Sequence, residues 1–367
     1  MKFSIDRDVF SDVLAKVQGV CNLRSTLQFA SSCLIEVKGK QLTVLGTNMD
    51  ISIKVTSEAK VFEEGKVLIN AKKLFDSVKS LKPGDAMVSY EKSQVLIESA
   101  ETRMHVVTGS IDDFPELPNM DLPSSVRLSA SSLLDLIDKT FFSISTDESR
   151  QAFTGAFLVI RENGKIQMVS TDGHRLSNAE SEAQSILEFS PEFEKGVIIP
   201  RTGLEQIRKI LSDGDVEITL AKQNIIIKTP ESAISIRLIV GQFPDFTRVI
   251  PQHLEHKAII SRSELIEVIK RASVHSPKVG TIRLTMSSNK LEVTAFNSES
   301  GDVTDSINCE YEGDGVSAGF NYRYVLDVLN AIDGDKVSLE VVDTESPSVI
   351  RDIATSRYDY VVMPMSI

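Results

Sequence analysis

One pattern occurs three times in this chain, and that repetition limits its fold more than any other feature. A helix-like run ending in Gly-Asp is found at residues 70–85 (NAKKLFDSVKSLKPGD), 200–215 (PRTGLEQIRKILSDGD) and 321–335 (NYRYVLDVLNAIDGD). Gly84, Gly214 and Gly334 stand 130 and 120 residues apart. Each is followed by alternation typical of a half-buried strand, at 86–90, 216–220 and 336–341. Upstream lie three segments that read as a strand entering a turn, beginning at Leu42, Ile166 and Leu291. An amphipathic helix opens each copy, with apolar residues at Val9, Val13 and Val17, at Leu133, Ile137 and Phe141, and at Leu265, Val268, Ile269 and Ala272. The third of these helices carries a capping box, Ser261 to Glu264.

A chain of 367 residues has room for two to three domains at roughly 100–200 residues each, and the repeat selects three. Pro-rich and polar joins at 115–125 and 251–256 place the modules at 1–124, 125–252 and 253–367. Each holds two helices and about eight short strands by pattern. Consecutive strands imply antiparallel sheets, so the fold class is α+β rather than βαβ. With 41% hydrophobic and 25% charged residues the composition is that of a globular protein. There is no apolar run of the ~18 residues that a spanning helix needs, and the first residues lack the apolar core of a signal peptide. Cys21, Cys33 and Cys309 have neither zinc nor disulfide spacing, which suits free thiols in a reducing cytosol.

The net charge of −12 argues against a conventional nucleic-acid binder. Its distribution is uneven, however. The six predicted helices carry 14 Lys or Arg against 12 Asp or Glu, which leaves −14 for the rest. Arg24, Arg150 and Lys278 follow the three opening helices at similar repeat positions. Helices facing one cavity would give a mildly basic bore that holds a polyanion without sequence preference; the alternative is ordinary solvated helix faces.

Catalytic motifs are scarce: there is no Walker loop, nucleophile elbow, H-E-x-x-H or C-x-x-C. Only Asp172 and His174 resemble chemistry, as a metal pair or general base. No third ligand lies nearby, and the segment reads as a turn, so no catalytic residue, cofactor or metal is expected. The tail 360–367 (YVVMPMSI) is apolar. It reads as a closing edge strand, or as an adaptable Met-rich patch for a partner peptide.

Several segments resemble the bacterial sliding clamps, the β subunits of replicative DNA polymerase holoenzymes. They are the opening Met1-Lys2-Phe3, the run Thr171-Asp172-Gly173-His174-Arg175-Leu176, Phe243-Pro244-Asp245-Phe246, residues 324–330 and the tail 360–365. The resemblance spans the whole chain. It implies a DNA-clamp fold closing as a head-to-tail dimeric ring around duplex DNA, with helices lining the hole. Partners implied are double-stranded DNA, a second copy of the chain, the replicative polymerase catalytic subunit and the clamp loader. Other polymerases, ligase and mismatch-repair proteins would join through short peptides, in the cytoplasm and with no membrane contact.

Carried over residue by residue, the partner-peptide pocket comprises Phe153, Thr171, Gly173, His174, Arg175, Leu176, Pro244, Arg248, Val249, Val361, Val362, Met363, Pro364 and Met365. DNA contact falls to Arg24, Lys72, Arg150 and Lys278. The dimer interface falls to Arg103 and Met104 on one subunit, against residues 274, 275, 299 and 302 (Val274, His275, Glu299, Asp302) on the other. Asp147, Gln151, Ala152 and Ser366 depart from the family's pattern, which makes the 147–152 loop less suited to stacking on DNA. Two rival functions are a peptide-binding scaffold without a DNA role and a metal-dependent hydrolase using Asp172 and His174.

Overall fold

The computed structural model describes residues 1–21, 27–123, 125–251, 256–299 and 301–366. They form two compact units, one of residues 1–131, 183–193 and 202–238, the other of residues 132–182, 194–201 and 239–367. One antiparallel sheet underlies each, with 14 strands in the first and 12 in the second.

The helices sit where the repeat puts them, and in the first and third modules their starts are capped by the side chains that precede them. The Asp6 carboxylate accepts the Asp8 and Val9 N–H groups to open helix Arg7–Gln18. Asn70 caps Ala71–Lys79, Ser261 caps Arg262–Ser273 and Asn321 caps Tyr322–Ala331, each satisfying an otherwise orphaned donor. Of the expected capping box at 261–264, the bond from the Glu264 N–H to Ser261 Oγ is long, at 3.5 Å.

The Gly-Asp signature has a mechanical role in every copy: it closes the end of the second helix onto the start of the first. The Gly84 carbonyl accepts the Arg7 N–H at 3.0 Å, and the Gly214 carbonyl accepts that of Ala130 at 2.8 Å. In the third copy the acceptor slides one residue, to Asp335.

Burial corrects one helical reading. Val9 is 44% exposed, because the buried stripe of Arg7–Gln18 runs through Phe10, Val13, Leu14 and Val17. That spacing faces one side, and Val9 lies off it. Leu265, Val268, Ile269 and Ala272 are all buried, as their spacing predicts.

The middle repeat is divided between the two sheets. Its strand Ser232–Arg237 pairs with Ile51–Glu58 in the first unit, while its strand Arg175–Glu182 pairs with Tyr358–Val362 in the second. The apolar tail is therefore not a closing edge: Tyr358–Val362 has Arg175–Glu182 on one side and Ser348–Asp352 on the other. Cys21, Cys33 and Cys309 are free and buried.

Candidate functional site

The turn between strands Lys165–Thr171 and Arg175–Glu182 is closed by its own side chains. Thr171 Oγ1 donates to the Arg175 carbonyl at 2.6 Å and accepts the Gly173 N–H at 3.0 Å. Asp172 Oδ1 accepts the N–H groups of His174 (2.9 Å) and Arg175 (3.0 Å), and Oδ2 accepts Arg175 Nε at 3.0 Å. Gly173 sits at φ +90°, where a side chain would be strained. The Asp172 carboxylate is thus engaged in shaping the turn rather than facing an open site. His174 projects outward and stacks on Tyr324 at 6.4 Å between ring centroids. Among the described residues no group of three His, Cys, Asp or Glu is placed to hold a metal.

Beside this turn lies an apolar surface that the pairing of Leu176 with Val361 assembles. Val169, Ile198, Phe243, Phe246 and Val349 complete its buried layer, and Phe153, Phe157, Ile239 and Val249 pack around it half-buried. Phe157 and Phe243 stack at 4.9 Å with planes 4° apart, and Phe153 and Phe246 meet them edge-on. The position of Phe157 depends on Gly196, where an added Cβ would lie 2.0 Å from the ring. An apolar layer edged by part-buried aromatic and aliphatic side chains, with a polar turn beside it, has the chemistry that suits an extended peptide with aliphatic or aromatic anchors.

Of the pocket residues expected from sequence, Phe153, Leu176, Val249 and Val361 converge here, with Thr171, Gly173 and His174 in the adjoining turn. Pro244 and Arg248 are exposed, and Arg248 pairs with Asp245 at 2.9 Å. Arg175 turns inward instead: it bonds Asp327 at 2.6 Å and the Phe142 carbonyl at 2.7 Å, and lies 4.4 Å from the Tyr324 ring centre. Val362 is buried, and strand alternation puts it on the opposite face from Val361. The Met363 N–H donates to the His174 carbonyl at 2.9 Å, and Pro364 follows half-buried. Met365 is drawn towards other strands, its N–H on the Gly319 carbonyl and its Sδ 3.9 Å from Thr281 Oγ1.

Phe157, Phe243, Phe246, Ile198 and Val349 join the apolar layer, and Tyr324 the turn, without having been expected from sequence. The Phe243-Pro244-Asp245-Phe246 motif is a local signal for its two rings, whereas nothing local marks Ile198 or Val349.

Among the expected DNA contacts, Arg24 lies outside the described residues. Lys72 is exposed and pairs with Asp76 at 3.1 Å, and Lys278 is exposed. Arg150 folds back: its Nη2 donates to the Asp172 carbonyl at 3.0 Å, and its guanidinium lies 5.1 Å from the Phe153 ring centre. In the first unit, Arg103 pairs with Glu98 at 2.6 Å, Met104 is half-buried, and Val107 is 70% exposed. In the second, Val274, Glu299 and Asp302 are exposed and His275 half-buried, near an exposed Phe296.

Three family models match the chain in order. They are the DNA polymerase III beta subunit N-terminal domain at 1–118, central domain at 127–245 and C-terminal domain at 247–366. The beta sliding clamp of Pseudomonas putida is 32% identical, covering 100% of both chains. The chain belongs to the bacterial sliding clamps. The solved DNA polymerase III subunit beta of Pseudomonas aeruginosa superposes with a TM-score of 0.93 at 30% identity, covering 100% of each chain. The same organism's sliding clamp bound to griselimycin gives 0.93 at 31% identity, again over 100% of each.

Sliding clamps are processivity factors without catalytic activity: they encircle duplex DNA and tether the replicative polymerase to it through a peptide-binding pocket. That function is this chain's, and the hydrolase and DNA-free scaffold readings fall with it. No helix among the described residues is long and apolar enough to cross a membrane.

Proposed function

We propose that the cleft on Leu176 and Val361 receives the anchoring peptides of partner proteins. These would be the polymerase catalytic subunit, the clamp loader, other polymerases, ligase and mismatch-repair factors in the cytoplasm. The observation that carries this reading is the aromatic-walled apolar layer centred on that strand pair. Phe153, Leu176, Val249 and Val361 hold the anchors. Thr171, Gly173, His174 and Arg175 form one rim, Pro244 and Arg248 another, and Met363, Pro364 and Met365 lead away from it. Val362 contributes through the sheet behind.

The same reading divides the chain into modules 1–124, 125–252 and 253–367 and closes two copies head to tail into a ring. Strand Thr102–Gly109 would meet strand Gly301–Glu310 of a second copy, bringing Arg103 and Met104 towards the second copy's positions 274, 275, 299 and 302. Strand Thr102–Gly109 supports this with an edge whose described pairing to Gly65–Asn70 covers only Thr108 and Gly109, leaving Val107 exposed. Arg24, Lys72, Arg150 and Lys278 supply weak phosphate contacts, and weakness is an advantage, since a closed ring is retained by topology while strong contacts would impede sliding. Tethering then raises the polymerase's effective concentration at the primer end.

Two measurements test this. Negative-stain class averages with a solution mass should give a dimeric ring with an open centre, and a compact particle without a hole would contradict it. Leu176→Asp should abolish binding of a fluorescein-labelled pentapeptide with Leu and Phe anchors while leaving the dimer intact; undiminished binding would remove the cleft assignment.

A further inference from the structure

The cleft does not stand alone on its sheet. Two residues along the same strands from Leu176, Val361 and Val349 lie Asn178, Asp359 and Arg351, and strand alternation puts each on the same face as its apolar neighbour. They belong to a continuous chain of polar contacts crossing six strands. Lys257 Nζ lies 3.3 Å from Glu340 Oε1, and Arg351 Nη1 donates to Glu340 Oε2 at 2.6 Å. Arg351 Nε donates to Asp359 Oδ1 at 2.6 Å, Asn178 Nδ2 to Asp359 Oδ2 at 3.2 Å, and Gln167 Nε2 to Asn178 Oδ1 at 2.8 Å. Donors and acceptors are matched at each step. Asn178 and Glu340 are buried, at 3% and 4% exposed, while the Arg351 and Asp359 side chains between them are about a quarter exposed, at 26% and 22%.

We infer that this ladder is a positioning device for the peptide cleft, with Asn178 and Asp359 as the step that fixes Leu176 against Val361. The inference rests on the cleft reading above. Its physical basis is register. Leu176 and Val361 come from segments 185 residues apart in sequence, so no local turn sets their pairing, and a slip by one residue would turn the whole apolar set to the opposite face. The Asn178–Asp359 pair opposes such a slip because any other register leaves the buried Asn178 amide without its partner, at a desolvation cost. Val361 and Leu176 have no such directionality, since apolar contacts tolerate sliding. The ladder residues touch no peptide in this scheme; they act through the strands.

The test uses the full-length protein and the same labelled pentapeptide. Asn178→Asp puts a carboxylate against that of Asp359, and the peptide's Kd should rise about tenfold, equivalent to 1.4 kcal/mol. The exchange Asn178→Asp with Asp359→Asn restores one amide facing one carboxylate, and affinity should return to within about twofold of the parent. Leu176→Asp is measured alongside. If Asn178→Asp lowers only the melting temperature and leaves the Kd unchanged while Leu176→Asp abolishes binding, the ladder is merely structural and the inference is overturned. Failure of the exchange to restore affinity, in a protein that circular dichroism shows to be folded, overturns it too. If Leu176→Asp binds normally, the cleft reading itself has failed.

Discussion

Arg175 shows how one residue's role follows from what surrounds it. Its guanidinium is largely buried, divided between Asp172, Asp327 and the Phe142 carbonyl, and lies over the Tyr324 ring. Removing it strands the Asp172 carboxylate, which is also mostly buried. Arg175→Met should therefore destabilise the second unit by on the order of 3 kcal/mol, read as a lower urea midpoint. An unchanged midpoint would mean that the pair makes no net contribution. The buried thiols give a pH dependence of definite sign. Desolvation pushes the Cys21 thiol up to about 12, and burial, with Cys21 nearby, raises Cys33 well above the usual range. In the unfolded chain both ionise near ~8.5. Above that pH the folded state holds protons the unfolded state has lost, so stability is fully present below it and falls as pH rises. The loss is about 1.4 kcal/mol per pH unit for each thiol. Urea midpoints between pH 7.5 and 10 should drop, and drop less steeply in Cys21→Ala; equal slopes would show that Cys21 contributes nothing.

At the scale of elements, the strand Val197–Pro200 carries Ile198 into the buried apolar layer with Leu176 and Val361 and pairs with Gly155–Ile160. A Cβ on Gly155 would lie 2.3 Å from the Ile199 carbonyl oxygen. Gly155→Ala should therefore push this strand outward, cost about 1–3 kcal/mol and weaken peptide binding; a variant with parental stability and affinity would show that the strand adapts freely. Deleting residues 363–367 should abolish peptide binding and leave the dimer intact, and full affinity in the truncated protein would exclude the tail from the cleft. Much of this element layout was legible in the sequence, since helix periodicity, capping residues and the Gly-Asp joints are local signals. Pairings between distant strands were not. Nothing local shows that Tyr358–Val362 is flanked on both sides, or that Asn178 meets Asp359. Val9 falls outside the buried face because spacing of four residues identifies a stripe without fixing its edges. The turn at 171–175 is a local signal, but the direction of Arg175 depends on Asp327, 152 residues away.

For the whole molecule, acidity and DNA association are compatible because retention by a ring is topological. A protein of net charge −12 that gripped phosphates strongly would lose mobility, whereas one that encloses the duplex needs only faint contacts. Reversing Lys72 and Lys278 to Glu should slow loading and weaken salt-sensitive association while leaving loaded rings on closed DNA. The decisive measurement compares retention on two DNA topologies. The protein is loaded by its clamp loader and ATP onto a nicked circular plasmid, then passed through a gel-filtration column before and after a single restriction cut. Encirclement predicts co-elution with the circle and release from the freshly linearised DNA. Equal retention on both forms would show that contacts, not closure, hold the protein to DNA, and would contradict sliding by encirclement.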